Sequence, residues 1–69
     1  MLPVRSSNLR GIDYDIETAT LTVQFVSGPV YVYYRVSYMI YRGLMSARSK
    51  GKFFDMHVKK GGYRYQRVA

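Results

Sequence analysis

Residues Thr20 to Val36 read TLTVQFVSGPVYVYYRV, and no other stretch limits the possible folds so strongly. Leu21, Val23 and Phe25 alternate with Thr20, Thr22 and Gln24. A period of two places one set of side chains on each face of a strand, so this segment has one face to bury. The run VYVYYRV, rich in β-branched and aromatic residues, forms a second strand. Ser27, Gly28 and Pro29 supply the turn chemistry between the two, with Pro29 unable to donate to a ladder. An antiparallel hairpin therefore organises the chain.

The register of that hairpin is open in the sequence, because a slip of one residue moves every side chain to the other face. A two-residue Ser27-Gly28 loop sets Phe25 opposite Val30 and Val23 opposite Val32, leaving Tyr31 and Tyr33 outside. A three-residue loop that includes Pro29 sets Phe25 opposite Tyr31 and Val23 opposite Tyr33, which makes both tyrosines part of the core.

Upstream, SNLRGIDYD places Leu9, Ile12 and Tyr14 at uneven spacing around Gly11, the pattern of an edge strand with a bulge or bend. DIETAT then connects it to the Leu21 strand, for a meander of three antiparallel strands. After Val36 the period lengthens. Ser37 is a good N-cap, and Ile40, Tyr41, Leu44 and Met45 share one side of a short helix, slightly weakened by Gly43. Ser46 or Ser49 caps a second helix, KGKFFDMHVKK, with Phe54 and Val58 as its buried stripe and Phe53 on the flank; Gly61 and Gly62 end it. The closing YRYQRV is a fourth strand or an extended arm. The fold class is α+β, a single domain over residues 1–69, with the three-stranded meander followed by two short helices and a C-terminal extended segment or short strand.

At 69 residues such a domain buries only about 60% of the surface its unfolded chain exposes. Nearly every large apolar side chain is needed for packing. With no cysteine, disulfides, thiolate zinc sites and thiol nucleophiles are excluded. Asp13, Asp15 and Glu17 cluster near a strand end rather than in pairs suited to acid–base work. The single histidine, His57, reads as a helix-flank residue packed on an aromatic ring. SARSKG lacks the first glycine and the GK[ST] ending of a nucleotide-binding P-loop. No enzyme, metal or small-molecule cofactor is expected. MLPVRSSNLRG has no apolar signal-peptide stretch, and no run is long enough to span a membrane, so a cytoplasmic protein away from membranes is expected.

Charge is the remaining signal. Eleven Lys and Arg against four acids give a formal net charge of +7, and nine of the eleven cations lie from Arg35 onward. A basic C-terminal half suits RNA or another polyanion, or an acidic protein surface.

Taken in order, SSNL at Ser6 to Leu9, IDYD at Ile12 to Asp15, TLTVQF, VYVYYRV, YRGLMSARSKGKFF from Tyr41 to Phe54 and the closing YRYQRV resemble the KTSC domain family. That family is named for a domain at the C-terminus of some lysyl-tRNA synthetases and also occurs as free-standing small proteins in bacteria and phages. The resemblance implies a place in RNA metabolism without an established activity. Relatives usually carry a polar or charged residue at the position of Val32, which implies that Tyr31 and Tyr33 point into the core and that the loop has three residues. They usually have proline where Ser37 and Arg64 stand and asparagine where Asp55 stands, so Asp55 adds a negative charge beside the basic stretch.

Two functions are compatible with these features. The first is nucleic-acid binding through the cations Arg48, Lys50, Lys52, Lys59, Lys60, Arg64 and Arg67, with Gly51 permitting close backbone approach and Tyr63 and Tyr65 stacking on bases. Free amides at the helix start near Ser49 to Lys52 add a phosphate grip. The second is a protein-interaction module that docks through an unpaired edge strand between Val4 and Tyr14 or through its Tyr/Arg surface.

Overall fold

The computed structural model describes residues 1–69. Five strands, β1 (Leu2–Pro3), β2 (Leu9–Asp15), β3 (Thr20–Phe25), β4 (Val30–Tyr33) and β5 (Tyr65–Arg67), form one antiparallel sheet in the order β1-β2-β3-β4-β5. Two helices, α1 (Tyr38–Ser46) and α2 (Lys50–Phe54), lie between β4 and β5 in sequence. A π-helical turn, Asp55–Lys59, continues α2, and the Lys60 amide donates to the Asp55 carbonyl at 3.1 Å to close it. The expected α+β class holds; to the three-stranded meander the sheet adds the C-terminal strand, one of the two forms expected there, and β1, which was not expected. β1 is too short to show any periodicity, and the C-terminal segment is a strand because β4 has a free edge to receive it.

β1 also corrects the expected edge. Leu2 pairs with Ile12 and Pro3 with Gly11, so part of the edge expected to be free between Val4 and Tyr14 is covered. The bulge in β2 is present, as a register shift between Leu9 and Gly11.

The main hairpin pairs Leu21 with Tyr33, Val23 with Tyr31 and Gln24 with Val30. The parity is the one that turns both tyrosines inward, but the partners are displaced from the expected Phe25–Tyr31 and Val23–Tyr33 pairs. The loop is Val26–Gly28 rather than Ser27–Pro29. Gly28, at φ +115°, donates its amide to the Phe25 carbonyl at 2.9 Å. The Phe25 amide then donates to the Pro29 carbonyl at 2.9 Å, so Pro29 takes part in the ladder through the one backbone group it can offer. Val32 accordingly faces away from the helices, paired with Thr22 and Gln66.

Nine residues form the core: Leu9, Ile12, Leu21, Val23, Tyr33, Val36, Leu44, Phe54 and Val58. Both helices cover one sheet face, and each buried aliphatic or aromatic side chain contributes roughly 1.5–3 kcal/mol of transfer free energy. Ser37 caps α1 by accepting from the Ile40 amide at 3.3 Å, and Ile40, Tyr41 and Met45 pack on the core beside Leu44. Ser49 caps α2, accepting from the Lys52 amide at 3.4 Å. Ser46 instead donates back to the Arg42 carbonyl at 2.9 Å, within α1. Gly43 does more than weaken its helix. A Cβ there would stand 2.5 Å from the Phe53 ring, so its absence lets α2 seat Phe53 against α1.

Candidate aromatic groove and its cationic rim

Strand register determines which side chains share the helix-facing side of the sheet. Tyr33 stands opposite Tyr65 and Tyr31 opposite Arg67, so the inward set continues from β4 onto β5. Tyr31 and Tyr33 stack at 6.4 Å between centroids, and Tyr65 lies 6.0 Å from Tyr31 and 5.6 Å from Tyr33. Phe25 meets Tyr31 edge-on at 5.7 Å, while Phe54 of α2 meets Phe25 and Tyr33 edge-on at 5.4 Å each. Such edge-to-face pairs are favoured by the ring quadrupoles and hold the rings in fixed orientation.

The helices cover this aromatic row only in part. A groove of about 770 Å³ is left, bordered by Ser7, Asn8, Phe25, Val26, Ser27, Pro29, Tyr31, Tyr33, Gly51, Phe54, Asp55, Lys59 and Tyr65. Its size is that of a pocket for one small ligand, with an apolar floor and a few polar groups around it. Tyr65 is 62% exposed, a large aromatic surface left to solvent in a small domain that needs its apolar area for packing. Burial, with the neighbouring Tyr31 and Tyr65, raises the pKa of the Tyr33 hydroxyl, which therefore stays protonated and available as a hydrogen-bond donor.

The ten residues singled out in the sequence take different places. Gly51, Lys59 and Tyr65 border the groove. At Gly51 the space of a missing Cβ is taken up by Asn8, whose Nδ2 would be 3.0 Å away, so the close approach expected there is made by the protein's own side chain. The Lys50 ammonium donates to the Ala47 carbonyl at 3.0 Å, at the end of α1. Lys60 pairs with Asp55 at 3.4 Å in an exposed salt bridge. Arg48 and Lys52 are exposed around the start of α2. Arg67 lies on the groove side of β5, its Nε donating to the Ala69 carbonyl at 3.0 Å. Tyr63, Arg64 and Tyr65 border a second depression of about 710 Å³ with Tyr34, Arg35, Gly62 and Gln66. Tyr65 is the residue common to both concavities. His57 lies on the ring of Phe53 at 4.4 Å, as expected of a helix-flank histidine.

Sequence reasoning missed Asn8, Phe25, Tyr31 and Tyr33 as site residues. The signal for the three aromatic residues was the parity of the hairpin: once Tyr31 and Tyr33 point inward, a helix as short as α2 cannot cover the whole row; Asn8 had none.

The KTSC domain profile matches residues 5–65. The chain belongs to the KTSC domain family. An uncharacterised protein of Stutzerimonas stutzeri is 38% identical over 65 residues, covering 94% of this chain and 92% of that protein. A lysine–tRNA ligase of Trichormus variabilis is 33% identical over 69 residues, all of this chain but only 12% of the ligase. Among solved structures, a KTSC domain protein from Yersinia pestis superposes with a TM-score of 0.87 at 38% identity, covering 99% of this chain and 94% of that one. These matches indicate no catalytic family. No helix is long and apolar enough to cross a membrane.

Proposed function

We propose that this KTSC domain is a small non-catalytic module that binds single-stranded nucleic acid, RNA above all. A base stacks on the exposed aromatic rings of the groove while the surrounding cations hold phosphates. The observation that carries this reading is the meeting of two segments distant in sequence at one concave aromatic surface. Gly51 and Lys59 come from the cationic helical segment and Tyr65 from the C-terminal Tyr/Arg strand.

Two physical effects favour this binding. Stacking on an exposed aromatic side chain is worth about 1–3 kcal/mol per base and tolerates every base. A formal charge of +7 on 69 residues draws a polyanion to the surface, and cations at Lys52, Lys59, Arg64 and Arg67 lie on segments that flank the groove. The resemblance to part of a lysine–tRNA ligase is consistent with a role beside RNA.

Anisotropy of a labelled mixed-sequence RNA strand tests the proposal. Binding is expected at low salt and should fall steeply between about 50 and about 200 mM, because each phosphate contact releases counterions. Absence of retention at low salt overturns it.

A further inference from the structure

The acids of this chain are few, and three of the four, Asp13, Asp15 and Glu17, sit at or next to the β2–β3 turn. The fourth, Asp55, borders the aromatic groove. A carboxylate is an unfavourable neighbour for a phosphate, so the groove itself suits a base rather than the backbone. From this placement, and resting on the nucleic-acid reading above, we infer that the groove selects guanine, with Asp55 as the residue that determines the choice.

Donors and acceptors on the base edge decide the choice. An ionised carboxylate can only accept, and it offers two oxygens side by side. Guanine alone among the four common bases presents two adjacent donors on its pairing edge, N1–H and the exocyclic N2–H2, with the O6 acceptor next to them. Uracil has one donor between two acceptors. Adenine and cytosine have one exocyclic donor next to an acceptor nitrogen that a carboxylate repels. Lys59 stands one helical turn beyond Asp55 and also borders the groove, where its ammonium can donate to O6. Asn8 adds a carboxamide that makes no hydrogen bond within the protein and rests against Gly51 at the same groove. The exposed Tyr65, backed by the half-buried Tyr31, supplies the stacking surface, which by itself does not discriminate between bases.

Asp55 is free to take this role. Its one protein partner is the exposed Lys60 at 3.4 Å, a contact of the surface kind that contributes little to stability. Bidentate pairing of this sort discriminates against a wrong base by a factor on the order of ten to a hundred.

The test uses the isotopically labelled full chain, titrated separately with the 5′-monophosphates of guanosine, adenosine, cytidine and uridine and followed by amide chemical shifts. Single-stranded RNA decamers that differ only in a central GG or AA are compared at the same salt. The guanosine ligand should bind roughly tenfold more tightly than the others, with shifts at Asn8, Tyr31, Gly51, Asp55 and Tyr65. Asp55→Asn should remove that preference and leave the other ligands within about twofold, since a carboxamide offers only one acceptor. Equal affinity for GG and AA decamers, a preference that survives in Asp55→Asn, or shifts confined to residues outside the groove overturns guanine selection while leaving RNA binding in place. If no decamer binds at low salt, the broader nucleic-acid reading falls with it.

Discussion

The sheet carries aromatic clusters near two of its corners, and they are finished differently. Near α1, Tyr14 stacks on Tyr41 at 4.7 Å with the rings 11° apart, and Tyr38 tilts against both. The Tyr14 hydroxyl donates to the Val36 carbonyl at 2.6 Å, which ties the sheet to the residue just before the Ser37 cap. In the groove, Tyr31, Tyr33 and Tyr65 make ring contacts only, and none of their hydroxyls bonds to the protein. No buried polar side-chain atom lacks a partner anywhere in the chain, so these hydroxyls reach open space rather than a sealed interior. Tyr14 thus fixes its polar end to the backbone, whereas Tyr31, Tyr33 and Tyr65 leave their hydroxyls at the groove.

The harshest way to break that contrast is Phe54→Ala. Phe54 is a core residue and also touches two rings of the groove, so its truncation should cost about 3–5 kcal/mol in urea unfolding and abolish RNA binding with it. A variant with unchanged stability would show that α2 is not anchored through this ring. Next in size, Tyr65→Ala should lower RNA affinity by about 1–3 kcal/mol with little change in the unfolding midpoint, because the ring is mostly exposed. Equal binding by the variant removes Tyr65 from the site. Tyr14→Phe should do the opposite, costing about 1 kcal/mol of stability through the lost Val36 bond while RNA affinity stays the same.

The gentlest probe is pH. Burial raises the pKa of Tyr33, with Tyr31 and Tyr65 adding to it, and burial followed by Asp15 and Tyr38 raises that of Tyr14. A folded pKa above the unfolded value of about 10 means the neutral phenol stabilises the fold fully below that pH. The contribution is then lost as pH climbs through the raised values. Thermal melts should therefore decline above about pH 10, together with tyrosinate absorbance, and Tyr14→Phe should make the decline shallower. A decline equally steep in the variant would show that Tyr14 does not contribute to it.

Much of this contrast can be read in the residues. The alternation through Leu21, Val23 and Phe25, the Ser37 cap and the Phe54–Val58 stripe follow from short-range rules of period and hydrogen bonding, and each is in place, whereas the residues narrow the second cap only to Ser46 or Ser49, of which Ser49 serves. β1 was not legible, because two residues cannot display a period and their pairing depends on β2 being there already. The displaced hairpin register depends on Gly28 taking a positive φ within a Val26–Gly28 loop, a choice that competes closely with its neighbours in sequence. The groove was legible only at its edges. Lys59 stands out by charge and Tyr65 by its place among arginines, whereas Phe25 and Tyr31 look like ordinary core until the length of α2 shows what it leaves uncovered.

The strand order also bears on when the groove comes into being. β1, β2 and β3 each hydrogen-bond to the next strand across a short connection, but β5 reaches β4 only after both helices have been passed. Closing that longest loop carries the largest chain-entropy penalty in the sheet, so the last ladder assembles after the hairpin it joins. Tyr65 lies on that ladder, so the groove is completed only where the costliest loop closure has been made. The amides of β5 should then exchange with solvent sooner than those of β3, and an RNA strand resting on Tyr65 should slow that exchange by favouring the closed form.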